Sequence, residues 1–183
     1  MQELAMSYRL ISKQTIYKGK KITLEVHRLE DENDRPVTYE VCVHNGAVVI
    51  LPFLPDGQVL LIRNRRYTVN QVLTELPAGT LEKGEDPINC AGRELQEETG
   101  YIAGRLQSIG NFFSSPGILT EKMYVYAAYD LEKSVSALEA GEEIEVMPTP
   151  LDQAIAKIGE GQIIDGKTIA ALLMYDRFFR DRK

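Results

Sequence analysis

The chain has 183 residues, 44% of them hydrophobic, and a formal net charge of −6. That length suits one domain with an appendage and a real core. The acidic balance argues against general nucleic-acid affinity, which draws on a basic stripe, and no apolar run is long enough to span a membrane as a helix.

The N-terminus has no signal-peptide pattern, so a soluble cytoplasmic protein is expected. Cys42 and Cys90 lack a CxxC or histidine partner at metal spacing and read as ordinary thiols in a reducing compartment. Alternation predicts strands over Tyr8 to Ile16, Lys21 to Leu29 and Val37 to His44, with turns at Lys18 to Lys20 and at Asn33–Asp34. These form a small antiparallel sheet over residues 1–45, too small to stand alone, so it should pack on the main domain or on a second subunit.

The main domain is expected over residues 46–183. Ala47 to Leu54 reads as a buried strand, Pro55-Asp56-Gly57 as a turn, and Gln58 to Arg63 as a strand pairing back in a hairpin. Leu73 to Pro77 leads to a helix capped by Asp86, with Pro87 in its first turn and Gly100 as its stop. Further strands are expected over Gly104 to Phe113, Lys122 to Tyr129 and Ile144 to Pro148. Between the last two, Glu132 to Glu143 reads as a mobile acidic loop. Thr149 is expected to cap one late helix, with Leu151, Ala154, Ile155 and Ile158 on its inner face, and Asp165 or Gly166 to open another carrying Ile169, Leu172, Leu173 and Phe179.

Chemistry concentrates between Gly79 and Tyr101, GTLEKGEDPINCAGRELQEETGY. Ile88, Ala91 and Leu95 make one apolar stripe on the helix. Glu94 and Glu98 lie one turn apart on a shared face, Glu97 flanks them, and Glu98 sits at the edge of the stripe. Like charges so placed repel, and a cation between them removes that cost. Carboxylate oxygens suit Mg²⁺ or Mn²⁺ better than Zn²⁺.

Gly79, Glu85, Arg93, Glu94, Leu95, Glu97, Glu98 and Gly100 stand in the spacing of the Nudix box, and the segment resembles that signature of Nudix hydrolases. Only Tyr101 departs, where a small aliphatic residue is usual. The resemblance implies an α+β fold, a Nudix-type α/β/α sandwich with a mixed sheet plus the small N-terminal antiparallel sheet. It also implies metal-dependent cleavage of a nucleoside diphosphate linked to another moiety. Carried over by position, Glu94, Glu98, Glu97 and the carbonyl of Ala78 are metal ligands. Arg93 forms a structural ion pair, Glu85 supports the loop or contacts metal, and Glu82 reaches metal or water.

Residues outside the box resemble the ADP-ribose pyrophosphatase and nucleoside-diphosphate-sugar hydrolase branch. They are Arg63, Arg65 and Arg66, then Glu75, then Pro116 and Gly117, then Glu121. The resemblance makes Arg66 a contact for phosphate or terminal ribose and Pro116 a marker of the ADP-ribose type, and it places Arg63, Glu75, Gly117 and Glu121 with them as substrate-binding residues. Glu142, with Glu143 beside it, takes the place of the catalytic base. Tyr39 and His44, with Tyr17 as an alternative, take the place of base-binding residues from the N-terminal sheet, often across a homodimer. The chain has no tryptophan, which weakens the parallel for adenine stacking. Gly161 to Ile169 (GQIIDGKTI) resembles the GDP-mannose members, so a GDP-mannose or other NDP-sugar specialist is the rival enzyme. A Nudix-fold sensor that binds ADP-ribose without cutting it is the rival of another class.

Overall fold

The computed structural model describes residues 8–138 and 143–180. The chain divides into two compact units, one running through Asn45 and including Ser115–Glu121, the other holding Gly46–Ser114 and Lys122–Lys183. No described helix is long and apolar enough to cross a membrane.

The first unit is an antiparallel sheet of β1 (Arg9–Lys18), β2 (Thr23–Glu30) and β3 (Pro36–Val43), in that order. Its β2–β3 turn is built by Asp31, whose Oδ1 accepts from the Asn33 and Arg35 backbone N–H groups, while Asp34 takes the left-handed conformation. Ser115–Glu121 joins this unit, although its sequence position lies inside the second. Cys42 N–H donates to Ile118 O at 2.8 Å and Thr120 N–H to Cys42 O at 3.0 Å, a parallel bridge on the end of β3. No described residue of the unit is fully buried, and β1 is exposed along its whole length.

The second unit contains two sheets. One is antiparallel, ordered β10 (Ile144–Pro150), β5 (Gln58–Arg66), β6 (Gln71–Glu75). The other is ordered β7 (Ala78–Thr80), β4 (Ala47–Pro52), β9 (Lys122–Lys133), β8 (Tyr101–Phe113) and is mixed, because β4 and β9 run parallel. Alternation along β4 divides the core. Val48 and Ile50 pack on one side with Cys90, Ala91 and Leu95 of α1 (Pro87–Thr99). Val49 and Leu51 face the other side, where Val59 and Leu61 of β5 meet residues of α2 (Leu151–Gly159) and α3 (Gly166–Phe178). The result is the α/β/α layering implied by the box.

Several local expectations change. β4 and β5 do not form a ladder. Gly57, at φ 82°, closes the tight turn between them, only Phe53 and Val59 bridge, and the strands then enter different sheets. Both strands are apolar on both faces, so each needs a covered sheet of its own, and neither run states which neighbour it takes. β9 continues through Lys133, paired with Tyr101, into residues expected to be loop. Pro150, not Thr149, stands at the N-cap of α2, and the Thr149 hydroxyl donates to Met147 O instead. In α1, Ile88 is 42% exposed and Cys90 takes its place in the buried stripe.

Candidate active site

Local chemistry fixes α1. The Asp86 carboxylate accepts from the Ile88 N–H, Pro87 opens the first turn, and Gly100 ends the helix at φ 71°. The acidic face of this helix meets β7, the outer strand of its sheet. Ile50 N–H donates to Pro77 O at 2.9 Å, and Val49 is paired with Ala78. Antiparallel alternation therefore turns the N–H and C=O of Ala78 away from β4, toward the outer edge. That N–H donates to Glu98 Oε2 at 2.9 Å, and Glu98 is buried.

Glu94 approaches the next residue. A β-carbon on Gly79 would stand 1.8 Å from Glu94 Cδ, so the absence of a side chain there makes room for the carboxylate. Two carboxylates and one backbone edge thus gather at Ala78–Gly79, an all-oxygen donor set that fits a hard divalent cation. Glu94, Glu98 and the Ala78 carbonyl are the residues that could hold it.

Glu97 is placed differently. Arg93 Nη1 donates to Glu94 Oε1 at 2.7 Å and to Glu97 Oε2 at 3.1 Å, while Nε and Nη2 fork onto Glu85 at 3.1 Å each. Glu85 also accepts from the Glu82 N–H at 2.8 Å, which ties the loop to the helix. Glu85 is therefore a support, and Arg93 is the ion pair expected of it. Arg93 holds the Glu85 carboxyl below its ordinary pKa, and Glu85 in turn raises the guanidinium's. Among the described residues no three His, Cys, Asp or Glu side chains form a finished metal cluster, and Arg93 bonds Glu94 and Glu97 alike.

Next to this edge lies a second charged group. Glu75 is buried at the end of β6, and Arg66 forks onto it, Nε to Oε1 at 2.8 Å and Nη2 to Oε2 at 2.6 Å. Lys167 Nζ donates to the same Oε2 and to Asp165 Oδ2 at 2.9 Å. The hydrogen bonds to Glu75 raise the pKa of Arg66, and the negative fields of Glu98 and Asp165 add to them. Glu75 is thus an anchor for cations. Lys167, Asp165 and Thr168 were missed in this role. The DGKT cap was visible, but its meeting with Glu75 joins residues 92 apart.

The remaining predicted residues have partners of their own. Arg63 pairs with Glu145 across β5 and β10 at 3.3 Å and is exposed, as is Arg65. Asn64, between them, is buried. Tyr39, His44, Pro116, Gly117 and Glu121 belong to the first unit. There His44 Nδ1 lies 3.5 Å from Glu121 Oε1, and Tyr39 meets Tyr8 edge-on at 6.2 Å. Pro116 and Gly117 form an exposed turn whose Ile118 and Leu119 N–H groups donate to Ser115 O. Glu142 lies outside the described residues.

A NUDIX domain model matches residues 43–172. The ADP-ribose pyrophosphatase of Bacillus subtilis (strain 168) is 35% identical over 170 residues, 92% of each chain. The methanol dehydrogenase activator of Bacillus methanolicus is 33% identical over 166 residues, 90% of each. The GDP-mannose pyrophosphatase of Yersinia enterocolitica is 38% identical over 137 residues, 70% of this chain and 71% of that one. A crystal structure of an ADP compounds hydrolase superposes with a TM-score of 0.85 over 95% of both chains at 23% identity, which speaks for the fold.

Proposed function

The chain belongs to the Nudix family, and from that premise we propose that it hydrolyses the pyrophosphate bond of ADP-ribose and related nucleoside diphosphate sugars. Water adds to one phosphorus, the bridging P–O bond breaks, and ADP-ribose yields AMP and ribose 5-phosphate. The observation that carries this reading is the pairing of Glu94 and Glu98 with the Ala78–Gly79 edge inside the box. Nudix hydrolases depend on divalent metals. In this chain Mg²⁺, with Mn²⁺ as a substitute, is the cation of choice, and Glu94, Glu98, Glu97 and the Ala78 carbonyl would hold it. When bound, it neutralises charge on the pyrophosphate and lowers the pKa of the attacking water.

The protein's own groups do the rest. Arg66, oriented by Glu75, presents its remaining donors to phosphate or ribose. Glu142 serves as the base, and Glu98 belongs to the catalytic set. Tyr39 and His44 serve base recognition, and Arg63, Pro116, Gly117 and Glu121 serve the sugar end. We assign the protein to the cytoplasm as a homodimer built through the N-terminal sheet. Leu10, Ile16 and Tyr17 there are 48%, 54% and 59% exposed, which supports a covering partner.

A panel of ADP-ribose, GDP-mannose and other NDP-sugars assayed side by side with Mg²⁺ tests the reading. ADP-ribose should turn over fastest, and Glu98→Gln should lose most activity while unfolding as cooperatively as the parent. Preference for GDP-mannose would favour the rival enzyme, which the Yersinia relative and the Gly161–Ile169 segment support. Tight ADP-ribose binding with no hydrolysis would leave the sensor.

A further inference from the structure

The strand junction before the box is held by two helices at two adjacent donors. β6 ends at Glu75 and β7 begins at Ala78, so Leu76 and Pro77 lie between ladders. Pro77 has no N–H, and its carbonyl accepts from Ile50. The junction therefore has two backbone donors to satisfy, those of Leu76 and Ala78. The Leu76 N–H donates to Thr168 Oγ1 on α3 at 2.8 Å, and the Ala78 N–H donates to Glu98 on α1 at 2.9 Å. Thr168 and Leu76 are both fully buried, so water cannot replace that bond.

Thr168 is itself oriented. Its hydroxyl donates to Asp165 Oδ2 at 2.6 Å, which leaves a lone pair for Leu76. Asp165 is the N-cap of α3 and also holds Lys167, whose ammonium is bonded to Glu75. The N-terminus of α3 is thus bonded to Glu75 and to Leu76, the two residues that lead into the metal edge.

We propose that Thr168 is a positioning residue for the cation site: its hydroxyl, set by Asp165, fixes the Leu76–Ala78 junction so that Ala78 meets Glu98 and presents its carbonyl on the same side. The proposal rests on reading Glu94, Glu98 and Ala78 as that site. Thr168 touches neither cation nor substrate and acts through Leu76. A valine in its place keeps the shape and removes the acceptor.

The test compares Thr168→Val, Thr168→Ser and Glu98→Gln with the parent protein. Mn²⁺ binding is read by electron paramagnetic resonance without substrate, and hydrogen exchange at Leu76 and Ala78 is read in metal-free protein. Thr168→Val should weaken Mn²⁺ binding about 10-fold and lower kcat with KM within about twofold. It should also speed exchange at both amides, and Thr168→Ser should restore all of these. If Thr168→Val does not purify folded, Asp165→Asn carries the test, since asparagine still caps a helix but accepts more weakly from the hydroxyl. Parental Mn²⁺ affinity and exchange in a folded Thr168→Val, with Glu98→Gln deficient, would overturn the positioning role alone. Mn²⁺ binding unaffected by Glu98→Gln would overturn the site reading and the positioning role with it.

Discussion

The Glu94 carboxylate stands where a side chain on Gly79 would begin, its Cδ 1.8 Å from the position of a β-carbon there. A glycine in the first position of the box is thus a steric requirement of a glutamate fifteen positions later. In the proposed site this closeness would let a backbone carbonyl and a carboxylate share one cation.

Gly79→Ala should therefore act on Glu94. The obstructing atoms belong to the end of a flexible side chain, so the carboxylate can swing aside and the fold survive. We expect activity to fall by about 10–100-fold, the range for a disturbed metal surround. The cation concentration needed for half-maximal rate should rise, with little change in melting temperature. A metal titration of kcat beside a thermal melt decides this.

Arg93→Ala should uncover a repulsion. One guanidinium bonds Glu85, Glu94 and Glu97, and its loss leaves three carboxylates without that counter-charge. The group is partly exposed, so the cost is moderated by solvent and amounts to about 1–3 kcal/mol. Mg²⁺ should recover more stability in the variant than in the parent, because binding to the folded state alone raises its apparent stability. Urea melts with and without Mg²⁺ measure both effects.

Glu75→Gln should be costlier. The carboxylate is buried and receives Arg66 and Lys167 together, so an amide leaves two cations with a poorer partner. Breaking a buried pair from one side costs about 3–5 kcal/mol. A lower melting temperature and a raised KM for the substrate are the expected outcomes, the latter because Arg66 loses the fork that orients it.

Stability should fall at both ends of the pH scale for separate reasons. Glu85 has a lower pKa in the folded protein than its ordinary 4.5. Its contribution is present above that value and is lost as pH falls through the folded pKa. Cys90 is the opposite case. Burial pushes its thiol up from 9.0 to about 12. Its contribution is whole below pH 9 and is lost as pH rises toward 12, because the unfolded thiol ionises first. Cys90→Ala should flatten the alkaline limb of a stability–pH curve and leave the acid limb unchanged. At pH 8, a thiol reagent should label the partly exposed Cys42 and spare the buried Cys90.

What was legible in the sequence was local. Asp86, Pro87 and Gly100 set the ends of α1 through bonds to near neighbours. The i,i+4 spacing placed Glu94 and Glu98 on one face, and the acidic box stated the chemistry. Alternation found most of the strands, because burial on one or both faces leaves a period that the chain must carry.

Tertiary structure decided the rest. An apolar run shows that a strand is buried, but not which edge it pairs with, so the parting of β4 from β5 was invisible. So was the union of Ser115–Glu121 with β3, made of backbone bonds and of the Thr120 hydroxyl's bonds to His44, which lies 76 positions away. Arg93 was legible as an ion pair, and its i,i+4 spacing to Glu97 makes the two neighbours on α1. Glu75 had no sequence sign of being a shared anchor, since Arg66 and Lys167 reach it from opposite ends of the domain's chain. The sequence by itself determined the carboxylates and the helix that carries them. Folding alone determined what holds Glu98 and Glu75, because those bonds join residues brought together only by the packing of α1 and α3 against the sheets.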